Sequence, residues 1–272
     1  MAGRRVALAL SLLAGLVAVD VAAAGTNTIL DGNDRPGPLD IRSASQGHAG
    51  DRVKHTIRTF ANWPKALLGP NTPNFVLLEI STDSDQAPER VVVIFSTPGR
   101  MAAGVFTRNG NFLGRADASH PNGHTVGVVI RRSLLGNPAG YRWQAFSIFG
   151  SSNRCRSGCV DGAPNGSNQV LHDLRDPTVA FPQPPSPAAS TMYNLDFTVG
   201  DTGGSGLAFW RLQQRDDGAT AWTTVDEQST TGPQSVLFAA DMSGDIDEFR
   251  VVAEDRHGNR TVSPIREVTA GR

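Results

Sequence analysis

Three aspartates fall within one short stretch, residues 30–41, which is rich in glycine and proline and runs into a strand candidate. They are Asp31, Asp34 and Asp40. A hard cation such as Ca²⁺ is bound by several carboxylate and carbonyl oxygens, and a loop that contains glycine can present both. The spacing differs from that of an EF-hand, and Asn33 and Asp34 also suit turns. The stretch therefore predicts a Ca²⁺ site at the three aspartates, with an ordinary turn as the alternative.

Catalytic motifs are the second kind of chemistry that the sequence can reveal. Ser205 lies in Gly-Gly-Ser-Gly-Leu, where a nucleophile elbow requires glycine in place of Leu207. The chain has no H-E-x-x-H, P-loop or dinucleotide-binding motif. We therefore expect a protein that is not an enzyme. The alternative is a hydrolase that uses Asp34, Asp40 or Glu79, with two carboxylates about 5–10 Å apart in an open cleft.

Tryptophans that face solvent are candidates for stacking against sugar rings, because a ligand site combines aromatic surface with a few polar groups. Trp63, which precedes a proline, and Trp222 are the two that we expect to be exposed. Trp143 and Trp210 lie in strand candidates and are expected in the core. The sequence therefore predicts a ligand contact at Trp63 or Trp222.

Two pairs of residues have the side chains that bind metals. His120 and His124 have a zinc-like spacing, but the Pro-Asn-Gly between them is a turn signal. Cys155 and Cys159 are the only cysteines, with no histidine beside them. In an exported chain such a pair forms a local disulfide. We therefore expect a turn at the histidines and a Cys155–Cys159 disulfide.

The N-terminus has the features of a secretory signal peptide, residues 1–24. Two arginines precede an apolar run, and an Ala-rich cleavage site follows it. The apolar run is short for a membrane span, although a retained anchor is the alternative. The net charge of −1 argues against nucleic acid as a partner. We expect a secreted, extracellular protein that has no membrane association after cleavage.

The rest of the chain reads as short strands separated by turns, and no amphipathic helix of normal length stands out. Residues 91–95 are continuously apolar, which predicts a central strand with both faces covered. The first-domain strand candidates are residues 40–46, 52–60, 74–81, 89–96, 101–107, 123–132, 141–149 and 169–174. The second-domain candidates are residues 193–199, 207–215, 219–225, 234–239, 249–253 and 260–268.

A cluster of prolines divides the chain, because proline stiffens the backbone and removes hydrogen-bond donors. It predicts a linker at residues 177–190 between a first domain, residues 25–176, and a second domain, residues 191–272. The fold class that we expect is all-β, with two tandem β-sandwiches after a cleaved signal helix. The first sandwich is expected to be jelly-roll-like, and the second to have about seven strands, as immunoglobulin-like sandwiches do.

Short motifs add two resemblances. Asp201-x-x-Gly-Ser-Gly-Leu207, Trp210-x-Leu212 and the strand from Phe249 to Asp255 resemble fibronectin type III and bacterial Ig-like domains. Such domains are spacers or interaction modules.

In the first domain, Asp34-x-x-Gly-Pro-Leu-Asp40-Ile41 and Tyr141-x-Trp143 resemble family-nine-type carbohydrate-binding or DOMON-like accessory domains. Together the two resemblances imply a non-catalytic protein of binding or structural type, whose partner is a polysaccharide or a cell-surface protein. Apart from Ca²⁺, no cofactor is implied. The alternatives are the secreted hydrolase and a purely structural spacer or adhesin.

Overall fold

The computed structural model describes residues 24–83, 87–150, 159–184, 192–216, 218–239 and 246–269. In this part of the chain the regular structure consists of nineteen strands and two short 3₁₀ helices, so the expected all-β fold is confirmed. None of the described helices is long and apolar enough to cross a membrane. The signal peptide lies almost entirely in residues 1–23, which are outside the described residues, and its cleavage stays a prediction.

The first eleven strands form one continuous antiparallel path, in the order β1-β2-β3-β8-β7-β6-β5-β4-β9-β10, with β11 paired to β9. The 3₁₀ helices are Lys65–Leu68 and Arg132–Leu135. The strands are β1 Ala24–Leu30, β2 Ile41–Ala49, β3 Arg52–Thr59, β4 Phe75–Ser81, β5 Arg90–Thr97, β6 Arg100–Thr107, β7 Phe112–Asn122, β8 Thr125–Arg131, β9 Gly140–Phe149, β10 Cys159–Ala163 and β11 Val170–Asp173.

Strand β7 joins two layers. Its first half pairs with β6 and its second half pairs with β8, with a shift in register in each ladder. The layer that contains β2, β3 and β8 is called layer one, and the layer that contains β6, β5, β4 and β9 is called layer two. One hydrophobic core, which includes Ile57, Leu78, Ile94 and Trp143, is buried in this part of the chain.

The outer faces of the two layers differ in chemistry. Alternate side chains of a strand point to opposite faces, so a strand with one wet face should carry polar residues there. Layer one follows this rule, with exposed Lys54 and Arg58 on β3. On layer two the outward positions include Leu77, Val93 and Phe95, which are half-buried, and Glu79 is a polar exception on β4. Layer two therefore presents an apolar outer face.

The apolar run at residues 91–95 explains this face. Val92 and Ile94 point into the core, and Val91, Val93 and Phe95 alternate with them on the outside. β5 is central in its layer, between β4 and β6, as expected. The expectation that both faces are covered is wrong for the outer face, because its side chains keep partial exposure to solvent.

The C-terminal strands surround a second core that shares no residue with the first. They form a sheet in the order β12-β13-β16 and another in the order β15-β14-β17-β18, with β19 paired to β17. Trp210 is fully buried there, as expected. The strands are β12 Thr178–Ala180, β13 Met192–Gly200, β14 Leu207–Asp216, β15 Thr223–Gln228, β16 Gly232–Ala239, β17 Ile246–Asp255, β18 Arg260–Val262 and β19 Arg266–Thr269.

The beginning of the expected linker is part of the second core. Strand β12 pairs with β13, and Phe181, which is 2% exposed, packs edge-to-face against Phe197. Residues 185–190 of that linker lie outside the described residues. The extended linker that the prolines predict therefore cannot begin before residue 182.

Candidate functional site

The loop from β1 to β2 and strand β10 bring four carboxylates together. One carboxylate oxygen from each of Asp34, Asp40 and Asp161 lies within 4.8 Å of the others. The fourth, Asp31, lies near this group, since the negative charges of Asp161 and Asp34 raise its pKa. Two of the members, Asp40 and Asp161, are each only 1% exposed.

Backbone groups hold these carboxylates in place. The Ile41 amide donates to Asp161 Oδ2 at 2.6 Å, and the Arg35 amide donates to Asp40 Oδ1 at 3.3 Å. Asp31 Oδ1 accepts from the amide of the next residue and from Asn165 Nδ2 at 2.6 Å. The two segments, which are far apart in sequence, are therefore joined through their acidic side chains.

Burial and mutual repulsion disfavour the charged forms of these acids. Burial, followed by the charge of Asp161, raises the pKa of Asp31 from 3.8 to about 6 and that of Asp40 to about 6. Burial also raises the pKa of Asp161. Asp34 lies 4.0 Å from Arg35, and both side chains are about half exposed. One solvent-exposed arginine offsets little of the repulsion among four carboxylates.

Asp161 is the member of this cluster that the sequence did not suggest. It lies about 120 residues from Asp40, between Val160 and Gly162, in a segment without a clear strand pattern. Only the pairing of β10 with β9 brings it to the loop. A sequence signal for it would have required knowledge of that pairing.

A second acidic group, Asp173, Asp201 and Asp255, differs because its oxygens are satisfied. Asp173 accepts from the Arg175 and Ser205 amides, each at 3.0 Å. Asp255 accepts from the His257 and Asn259 amides, each at 2.8 Å. Amide donors stabilise carboxylates without a cation. This group therefore joins the end of the first strand assembly to the loops of the second.

Trp63 is not the exposed ring that the sequence suggests, and this expectation is wrong. It is 3% exposed, stacks on His120 at a centroid distance of 4.0 Å, and its indole N–H donates to Thr59 Oγ1 at 3.1 Å. His120 in turn contacts two carbonyl oxygens, those of Thr125 and Trp63. The zinc-like histidine pair is thus part of the hairpin between β7 and β8, as the turn signal predicts.

Trp222 is half-buried, and its ring is already in contact with cations. The guanidinium of Arg215 lies 4.5 Å from the ring centroid, and that of Arg250 lies 4.1 Å from it. Arginine–tryptophan contacts of this kind occupy the surface that a sugar ring would need. Trp222 is therefore an internal contact of the C-terminal sheet in this structure, and not an open platform.

The remaining predicted residues are placed as follows. Glu79 lies on the outer face of β4, where burial raises its pKa, with Arg108 acting against this effect. It is on a different layer of the fold from strand β2, where the acidic loop ends. Cys155 lies outside the described residues, so the disulfide with Cys159 stays a prediction.

A groove lies on the apolar outer face of layer two, along β5, β6 and β7, with a volume of about 540 Å³. Its aromatic side chains are Phe95, Phe106 and Phe112, and charged Arg100 and Arg115 also line it. Phe112 is 58% exposed and Phe106 is half-buried. The sequence analysis missed this groove because it selected tryptophans and not phenylalanines.

Gly104 gives the groove its shape. A Cβ at this position would lie 2.7 Å from the Phe106 ring and 3.4 Å from the Phe112 ring. The two rings are 5.4 Å apart and tilted towards each other. A glycine in the middle of a strand often marks a place where another group approaches closely.

A buried polar cluster fills the core between β2, β3, β9 and β11. His48 Nδ1 and His172 Nε2 are 3.1 Å apart, and His55 Nε2 and the Tyr141 hydroxyl are 2.8 Å apart. Burial lowers the pKa of His55 to about 3 and, with neighbouring histidines adding to it, that of His172 to about 2. Neutral histidines of this kind are part of the core.

Comparison with known proteins shows resemblance only at the level of solved structures. No protein-family model matches the chain, and no curated protein matches it. Immunoglobulin domains IG1 and IG2 of DIP-gamma are similar at 11% identity, with a TM-score of 0.31, over 82% of this chain and 91% of that one.

Fibronectin(III)-like modules of Clostridium thermocellum CbhA are similar at 14% identity, with a TM-score of 0.34, over 82% of this chain and 86% of theirs. Domains of titin are similar at 11% identity, with a TM-score of 0.30, over 89% of this chain and 87% of theirs. The family-nine or DOMON-like resemblance of the first half stays an expectation.

Proposed function

We propose that this protein is a secreted, non-catalytic binding protein whose ligand is an acidic polysaccharide, held along the groove on layer two. The single observation that carries the proposal is the apolar outer face of this layer, with a groove of aromatic side chains edged by arginines. Contiguous apolar surface of this kind marks sites of interaction. The other face of the fold carries the polar side chains that solvent requires.

The chemistry of the groove favours a sugar polymer. Phe95, Phe106 and Phe112 supply rings on which the apolar faces of sugars stack, and Thr97 and Asp117 supply hydrogen-bonding groups beside them. The combination of rings with polar groups along an open groove suits a ligand that is apolar on its faces and polar on its edges.

The arginines indicate that the polymer is acidic. Within the described residues neither Arg100 nor Arg115 takes part in an ion pair, and both are exposed. The groove's one aspartate, Asp117, lies 3.4 Å from Arg52. A guanidinium binds a carboxylate through two parallel hydrogen bonds, so uronic acid units are the expected partners.

Affinity gel electrophoresis of residues 25–272 tests this function. We expect the protein to be retarded in gels that contain polygalacturonate, and less so in gels that contain hydroxyethylcellulose, because only the first polymer offers carboxylates. Phe112→Ala should weaken retardation about 5- to 10-fold, the loss of one stacked ring. Phe60→Ala, which removes a 39% exposed ring elsewhere, should leave it unchanged.

Other outcomes would decide against the proposal. Retention on the neutral polymer alone would exclude an acidic ligand, and no retention on any polymer of a glycan array would exclude a polysaccharide. Concentration-dependent dimerisation that Phe112→Ala abolishes would mean that the face pairs two copies. A cell-surface protein as partner would leave all polymer gels unaffected.

The hydrolase alternative has less support from the geometry. Asp40 and Asp161, two members of the acidic cluster, are each only 1% exposed and cannot reach an extended substrate. Glu79 is on the outer face of β4, in the other layer from β2. Carbohydrate hydrolysis needs two carboxylates on either side of one bond. Polymer retention without release of reducing ends would agree with binding alone.

A further inference from the structure

The acidic cluster at the β1–β2 loop has an unbalanced charge. Asp40, which is 99% buried, has one oxygen, Oδ2, without a hydrogen-bond partner, and Asp31 Oδ2 is also without one. A buried carboxylate oxygen without a partner costs free energy, so native proteins rarely keep one. One carboxylate oxygen from each of Asp34, Asp40 and Asp161 lies within 4.8 Å of the others, and the charges of Asp161 and Asp34 also act on Asp31.

We infer that Asp31, Asp34, Asp40 and Asp161 bind one Ca²⁺ that ties the β1–β2 loop to strand β10. A divalent cation gives the partnerless oxygens a positive charge to bind, and it offsets the repulsion among the carboxylates. The inference is independent of the polysaccharide, because the cluster lies on different strands from the groove.

The donor set selects the metal. All four side chains supply oxygen, and the cluster contains no histidine or cysteine, which zinc and copper prefer. Ca²⁺ accepts an irregular shell of six to eight oxygens, whereas Mg²⁺ demands a near-ideal octahedron. A loop with Gly32 and Gly37 can add backbone carbonyls to the four carboxylates. The site therefore suits Ca²⁺ best.

Gly37 restricts the backbone conformation of the loop. Its φ is +145°, and a Cβ there would lie 2.1 Å from the Phe149 ring, which is buried in the core. The loop is thus packed against β9 at the same place where Asp161 of β10 reaches it. This packing positions the carboxylates before any cation binds, which lowers the entropy cost of binding.

A shared proton is the competing explanation for the close carboxylates, and isosteric replacement separates the two. In Asp40→Asn, the amide can donate to Asp161 while the Arg35 amide keeps its acceptor. This variant should be more stable than the wild-type protein in chelator at pH 7.5, because one repelling charge is gone. It should also lose the response to calcium.

Thermal unfolding of residues 25–272 at pH 7.5 is the test, in chelator and in 5 mM CaCl₂. For a dissociation constant of about 10⁻⁴ M, typical of extracellular modules, 5 mM calcium should raise the wild-type melting temperature by about 5–9 °C. The same concentration of MgCl₂ should have a smaller effect. Asp196→Asn, which removes an exposed carboxylate of β13, should respond as the wild-type protein does.

Each alternative result overturns the inference. Identical wild-type curves with calcium and with chelator would mean that the carboxylates share a proton and hold no metal. An equal calcium response in the wild-type protein and in Asp40→Asn would place the ion elsewhere.

Discussion

Replacing His55 with glutamine should make the protein relatively more stable in acid. His55 is 1% exposed, and burial lowers its pKa to about 3, so the folded protein keeps it neutral. The unfolded chain protonates it below about pH 6.5. Folding stability that depends on the neutral ring is therefore present above pH 6.5 and is lost as the pH falls towards 3. Glutamine has no such proton to bind.

The expected size of this effect follows from proton linkage. The difference in the free energy of unfolding between the wild-type protein and His55→Gln should shrink by about 1.4 kcal/mol per pH unit below pH 6.5. At pH 7 the variant should be less stable, because the imidazole packs 4.6 Å from the Trp143 ring. Urea unfolding at pH 7.0, 5.5 and 4.5, in chelator, measures the difference directly.

The comparison of two proteins cancels the other titrating groups. Asp31 and Asp40 act in the opposite direction between about pH 4 and pH 6, since their raised pKa values favour the folded form in acid. These two aspartates are present in both proteins, so their contributions cancel in the difference between the two free energies of unfolding. His124→Gln, at a half-buried position in the hairpin between β7 and β8, is the matched control for the same substitution. Parallel curves for His55→Gln at all pH values would mean that His55 is charged in the folded state.

Replacing Gly203 with alanine should destabilise the junction between the two strand assemblies. A Cβ at this position would lie 1.9 Å from Asp173 Oδ1 and 2.2 Å from Oδ2. Asp173 is fully buried and cannot move without releasing the Ser205 amide, which it accepts from at 3.0 Å. We expect a loss of about 2–4 kcal/mol in the free energy of unfolding, measured with urea at pH 7.

The control for this change is a glycine with open space around it. Gly32→Ala adds a Cβ with no atom within 4 Å, so it should change stability by less than about 0.5 kcal/mol. If Gly203→Ala also has so small an effect, the loop moves away from Asp173 at no cost. The junction would then be looser than its other contacts indicate, such as the 3.0 Å bond from the Asp173 amide to His257 Nδ1.

The strands were predictable because strand formation depends on local patterns. Alternating residues of β4 and β13 identify one buried face without reference to any other part of the chain. Strand β7 was missed, because it contains small and polar residues such as Gly114 and Ser119 and runs into a turn signal. Its position at the meeting of the two layers makes it a strand, and no local pattern indicates this.

Exposure was less predictable than secondary structure. Trp63, next to a proline, has the sequence context of a loop, yet the hairpin between β7 and β8 covers it through His120. The run at residues 91–95 has the sequence of a strand buried on both sides, yet Phe95 lines an open groove. Exposure depends on what packs above a residue, and the covering residue is distant in sequence.

For this protein, the sequence alone determined the all-β class and the acidic loop as a candidate cation site, because strand alternation and loop composition are local properties. The tertiary structure decided which carboxylates meet. Asp161 reaches Asp40 only through the pairing of β9 and β10, and that pairing also buries them together. Burial turns a set of ordinary turn residues into a group of charges that requires a partner, since the cost of a charge depends on its distance from water.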